Sequence, residues 1–113
     1  MNYEIRVTSN FEKDIKRFSK KFKGFNADLI EFLNQLRENP FLGTHLGNNI
    51  FKIRMASKAK GKGKSGGFRV ITYHLSEAEK VTVINLITMY DKSEEASISL
   101  KELEHLIKSI FGS

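Results

Sequence analysis

The sequence contains no cysteine. Disulfides, thiolate metal sites and cysteine nucleophiles are therefore excluded, and the composition fits a reducing cytoplasm, the expected location. No apolar run reaches the roughly 18 residues that a membrane helix requires, so no membrane span is expected. The opening residues, MNYEIRVTSNFEKD, include acidic side chains and no continuous apolar segment, so no secretory signal is expected. Negative charge is missing from one long stretch. From Lys52 to Arg69 there are seven basic residues and no acidic one. From Glu77 onward seven acidic residues face four lysines or arginines, so the net charge of +6 is concentrated locally. A local basic patch points to a polyanion such as nucleic acid. Charge alone leaves that choice open against a merely solvated, lysine-rich loop.

What is present fits one globular domain spanning residues 1–113, with 40% hydrophobic residues. YEIRVT alternates and is rich in strand formers, which predicts a strand over Asn2 to Thr8. Ser9 and Glu12 have capping-box spacing, and Phe11, Ile15, Phe18 and Phe22 recur at helical intervals. Gly24 is expected to end that helix. A second helix is expected from near Asn26, with Leu29, Ile30, Leu33 and Leu36 on one face, stopping before Asn39-Pro40. PFLGTHLGNN reads as a loop. IFKIRM and GFRVITYHL read as strands, with SEAE as a short hairpin connection to the strand KVTVINLITMY. Ser99 and Glu102 have capping-box spacing at the start of a last helix, with Ile98 and Leu103 placed as a hydrophobic staple. The expected order is β-α-α-β-β-β-α: an α+β fold with a helical hairpin on a curved, mainly antiparallel sheet. One sheet face is expected under the helices and the other polar and open.

Strand alternation places Lys52 and Arg54 on one face, opposite Phe51, Ile53 and Met55. A hairpin would bring Arg69 near Arg54 and put Lys58, Lys60, Lys62 and Lys64 on the connecting loop. Glycine and lysine offer little to pack, so that loop is expected to be mobile and to serve binding more than chemistry. Tyr90, Asp91 and Lys92 set a phenol, a carboxylate and an ammonium at a strand end beside the basic face. On these residues alone, a rim residue followed by an ordinary turn is the favoured reading. His45, His74 and His105 have no ligand spacing and read as structural or surface residues, so no metal or other cofactor is expected.

FKIRM, GKSGGFRVITYHL, LITMYDKSE and SLKELEHLI, in this order and spacing, resemble the RelE/ParE toxin superfamily of bacterial type II toxin–antitoxin modules. The resemblance covers nearly the whole chain and is strongest to the HigB-like and RelE-like branch. It implies a toxin that enters the 30S A site of the ribosome and cleaves mRNA without a metal, through attack of the ribose 2′-hydroxyl on the adjacent phosphate. It also implies a cognate antitoxin as partner. On this resemblance Lys52 and Arg54 match basic strand positions around the scissile phosphate. Arg69 matches the phosphate-stabilising arginine, and Lys92 a basic position at the end of the last strand. Tyr90 and Asp91 match positions near the active site of HigB-like members. The tyrosine that RelE carries in its C-terminal segment falls near Ile98, which favours a HigB-like arrangement. Lys58, Lys60, Lys62 and Lys64 are the expected RNA-binding residues. Two other functions compete: a ParE-like inhibitor of DNA gyrase, and a noncatalytic RNA-binding module.

Overall fold

Phe11 and Phe18 lie two helical turns apart and are fully buried, with Ile15 and Phe22 packed beside them. That stripe turns one side of helix α1 (Ser9–Lys21) onto a five-stranded sheet. The computed structural model describes residues 2–61, 66–78, 80–94 and 97–112. The remaining elements are β1 (Asn2–Val7), α2 (Phe25–Glu38), β2 (Thr44–Gly47), β3 (Ile50–Met55), β4 (Phe68–Ala78), β5 (Val81–Asp91) and α3 (Leu100–Phe111). The strand order is β1-β5-β4-β3-β2, antiparallel except for the parallel pair β1 and β5. The α+β class, helical hairpin and mainly antiparallel sheet thus follow the sequence expectation.

Several details differ from it. The cap of α1 is Thr8, one residue before Ser9: its hydroxyl accepts the Phe11 N–H at 3.2 Å and donates to the Leu86 carbonyl at 2.7 Å. The same side chain therefore closes the helix and ties it to β5. Phe22 caps the other end of α1, and Gly24 instead opens α2, at φ 91°, a left-handed conformation that glycine adopts without steric cost. The buried face of α2 is Phe25, Leu29, Phe32 and Leu36, whereas Ile30 is 59% exposed. Part of the expected loop pairs with β3 as the edge strand β2, giving four strands after the helical hairpin instead of three. The expected SEAE connection is mostly strand, since β4 continues through Ala78 and Lys80 takes the turn conformation at φ 62°.

The core has two parts. Helices α1 and α2 bury Ile53, Met55, Phe68, Val70, Ile84, Leu86 and Met89 on one face. The opposite face is not open along its length: Leu103 and Ile107 of α3 cover Ile50, Ile71, Ile87 and Tyr90. The Ser99–Glu102 capping box forms as expected, and Ile98 packs into the same cluster as Leu103. Near the core, His74 is 7% exposed, stacked 4.3 Å from Phe51 and tilted against Phe41 at 5.4 Å, and its Nε2 has no hydrogen-bond partner among the described residues. His45 stacks against Phe51 at 4.8 Å, while His105 is exposed on α3.

Phe18→Ala opens a cavity against Phe22, Phe25 and Phe68, whose rings lie 4.8–6.4 Å away. The expected loss is about 3–5 kcal/mol in urea unfolding. Burial, joined by nearby His45, lowers the basicity of His74 against the opposing pull of the Pro40 carbonyl. Because the folded state takes up this proton less readily, stability falls as pH drops below the unfolded histidine value of about 6.5. Burial raises the Asp14 carboxyl and acts in the opposite direction. Urea midpoints measured from pH 7 to pH 5 are therefore expected to decline less steeply in His74→Phe than in the parent.

Candidate functional site

The basic residues converge through strand register. Arg54 and Arg69 are direct partners across β3 and β4, and Arg69 is the direct partner of Tyr90 across β4 and β5. Strand register thus sets two guanidinium-bearing residues directly opposite each other on one face of the sheet. Lys52, Arg54, Arg69 and Lys92 line one open cleft of about 490 Å³, walled by Leu42, Gly43, Thr44, Leu46 and Ile53. None of these lining residues is acidic. Arg69 is only 6% exposed and donates from Nη1 to the Phe68 carbonyl at 3.3 Å. The loop before β2 forms the opposite wall. Gly43, at φ 97°, permits that approach: a Cβ there would stand 2.5 Å from the Lys52 carbonyl oxygen and 2.7 Å from Ile53 Cγ1.

A register shift decides what the end of β5 contributes. Ile71 pairs with Thr88 but Thr72 pairs with Leu86, leaving Ile87 as an extra residue. Such a bulge resets strand parity. Ile84 and Leu86 before it, and Met89 after it, all face α1 and α2. Polar side chains of α1 satisfy the interrupted ladder: Asn10 Nδ2 donates to the Ile87 carbonyl at 2.8 Å, and Asp14 accepts from the Met89 N–H at 3.0 Å. After the shift, Tyr90 falls on the Arg69 side and Asp91 pairs with Phe68 on the other.

The six sequence-predicted catalytic residues are therefore not one group. Lys52, Arg54, Arg69 and Lys92 share the cleft. Tyr90 is 4% exposed and packs in the cluster under Leu103 and Ile107, outside the cleft lining. Asp91, 2% exposed, is turned away and ion-paired with Lys60. Burial opposes its ionisation, but the Lys60 ammonium and the Ser93 N–H and hydroxyl outweigh that and hold the carboxyl below the usual range.

Lys60 accordingly differs from the expected RNA-contacting lysine: its side chain is 7% exposed, with the ammonium 5.0 Å from the Phe68 ring centroid. Lys58, by contrast, has a side chain 86% exposed, with its ammonium 4.0 Å from the Glu31 carboxylate. Lys62 and Lys64 lie outside the described residues. The start of the loop is anchored by a residue that the sequence pattern did not single out. Asp28, on the first turn of α2, accepts from the Ser57 hydroxyl at 3.0 Å, the Lys58 N–H at 3.2 Å and the Ala59 N–H at 3.1 Å. An acidic residue in a first helical turn signals dipole compensation, and nothing local in the sequence distinguishes that duty from anchoring a distant loop.

Residues 7–110 match the family model described as RelE toxin of the RelE / RelB toxin–antitoxin system. A solved structure of E. coli toxin RelE, a double arginine-to-alanine mutant in the free state, superposes with a TM-score of 0.58 at 20% identity. The alignment covers 98% of this chain and 100% of that one.

Asp28→Ala leaves the Lys58 and Ala59 amides without their acceptor. The expected cost is about 1–3 kcal/mol in urea unfolding. Limited trypsin digestion of the native protein is expected to cut faster after Lys58 and Lys60 than in the parent, as mass spectrometry of the fragments would register.

Proposed function

This chain is a member of the RelE toxin family, and from that premise we propose that it is a ribosome-dependent endoribonuclease that cleaves mRNA in the 30S A site. The toxin role comes with the family; the chemistry is inferred from the cleft. The observation that carries it is the opposed pair Arg54 and Arg69, joined by Lys52 and Lys92 in a cleft whose lining, among the described residues, includes no acidic side chain. Four cations around one cavity suit a scissile phosphate and the charge that develops on it.

In this reaction the ribose 2′-oxygen attacks the adjacent phosphorus as its proton leaves to a base. The 5′-oxygen then departs with a proton from an acid, leaving a 2′,3′-cyclic phosphate and a free 5′-hydroxyl. Arg69 is assigned to the nonbridging phosphate oxygens, because a guanidinium stays protonated and offers two parallel donors. Arg54 adds charge opposite it. Lys52 and Lys92 are the candidates for proton exchange. The HigB-like arrangement expected from the sequence is kept for Lys92, whereas Tyr90 is assigned to support the cleft floor and Asp91 to the ion pair with Lys60. Lys58 is assigned to the RNA backbone, and Lys62 and Lys64 keep that assignment on sequence grounds. A cognate antitoxin protein is the partner that restrains the toxin. Cytoplasmic action is the matching location; no described helix is long and apolar enough to cross a membrane.

Arg69→Ala is expected to slow single-turnover cleavage on programmed ribosomes by about 10²–10³. Lys92→Ala is expected to slow it by roughly 10² or more if the ammonium exchanges a proton. Both variants should still bind ribosomes, and neither should arrest growth when expressed without antitoxin. Cleavage at the parent rate by both bound variants would overturn the site assignment. A parent that leaves the message intact but blocks DNA supercoiling would establish the gyrase function instead. Small, cumulative losses of RNA affinity with each removed charge, and no cut in the message, would mark a noncatalytic binder.

A further inference from the structure

One buried cation gathers three segments of chain. The Lys60 ammonium is ion-paired with Asp91 and donates to the Gly66 carbonyl at 3.4 Å. It also lies 5.0 Å and 5.7 Å from the ring centroids of Phe68 and Phe22. The same Asp91 Oδ1 accepts from the Ser93 N–H at 2.9 Å and the Ser93 hydroxyl at 2.8 Å. Between them, the Lys92 N–H donates to the Gly67 carbonyl at 3.2 Å. The outgoing arm of the lysine-rich loop, its returning arm and the exit of β5 thus meet at one point. Gly67 leads through Phe68 into Arg69, and Asp91 immediately precedes Lys92.

We propose that Lys60 is a positioning residue for the phosphate site: its buried ammonium clasps the two backbone segments that carry Arg69 and Lys92 into the cleft. This rests on the nuclease function above and extends it to a residue that touches no substrate. A lysine that serves RNA has no reason to leave solvent, and Lys58, two positions earlier, remains 86% exposed. Lys60 gives up both its hydration and its side-chain freedom, a loss that only a fixed carboxylate, a carbonyl and two aromatic faces offset. The clasp acts through geometry. Displacing a reacting group by about 1 Å can cost on the order of 10² in rate without any change in binding contacts.

The test uses Lys60→Met/Asp91→Asn, which removes both charges together. No carboxylate is left buried and unpaired, and the Asn oxygen retains its acceptor role toward Ser93. Circular dichroism confirms folding before ribosome titration, single-turnover cleavage and amide hydrogen exchange. The expected result is parental ribosome affinity and salt dependence, cleavage about 10–100-fold slower at saturating ribosomes, and faster exchange of the Lys92 amide. Lys60→Arg, which keeps a cation beside Asp91, is expected to recover most of the rate. A folded double variant that cuts at the parent rate once bound would overturn the positioning role. So would one that binds weakly, with a reduced salt slope, yet cuts normally when saturated, the behaviour of an RNA-contacting lysine. A parent that leaves the message uncut overturns the nuclease function and the positioning role together, so the two failures are distinguishable.

Discussion

The extra residue at Ile87 in β5 is the constraint on which the rest of the site depends. Strand side chains alternate strictly, so one inserted residue exchanges the faces of everything after it. With the bulge, Met89 joins the phenylalanine core, Tyr90 stands beside Arg69, and Asp91 turns beneath the loop. Without it, Asp91 would project toward the cationic face and neutralise part of the charge gathered there. The insertion is held by α1, whose Thr8, Asn10 and Asp14 bond to the carbonyls and amide that the shifted ladder exposes. The helical hairpin therefore does more than cover the sheet. Its polar residues help fix which groups reach the cleft.

Two carboxylates order the described base of a loop whose composition looks like a flexible basic tether. Asp28 receives three donors from residues 57–59, and Asp91 receives the Lys60 ammonium. Both lie on the same side of the sheet as the aromatic cluster of Phe18, Phe22, Phe25 and Phe68, which shields the ion pair from water. A low-dielectric surrounding strengthens a matched pair and penalises an unmatched one. This makes the clasp intolerant of losing either partner alone.

Much of the fold was legible in the chain because its signals are local. The Phe11–Phe18 stripe, the Ser99–Glu102 box and the alternation of Lys52 with Ile53 and Arg54 with Met55 each arise within one element. The hairpin register that sets Arg54 against Arg69 also followed from two neighbouring strands. The edge strand β2 was hidden because it is only four residues long, THLG, is interrupted by a register shift and sits between Gly43 and Asn48-Asn49, which read as loop; it pairs because β3 is beside it. Ile30 looked like a core position because helical spacing admits it, but α2 is rolled toward Phe25 and Phe32.

The sequence by itself determined the α+β class, the helical hairpin, the cationic strand faces and membership of a toxin family, since periodicity, capping chemistry and motif order are written along the chain. Only the tertiary structure decided which charges act together. Lys58 and Lys60 look equivalent in sequence, yet one is solvated and the other is buried against Asp91. Tyr90, Asp91 and Lys92 are consecutive, yet a bulge three residues earlier and a helix from the far end of the chain send them to different surroundings. The physical reason is that burial and pairing belong to three-dimensional neighbours: a charge's role is set by the carboxylate, ring or solvent that meets it, and these come from segments dozens of residues away.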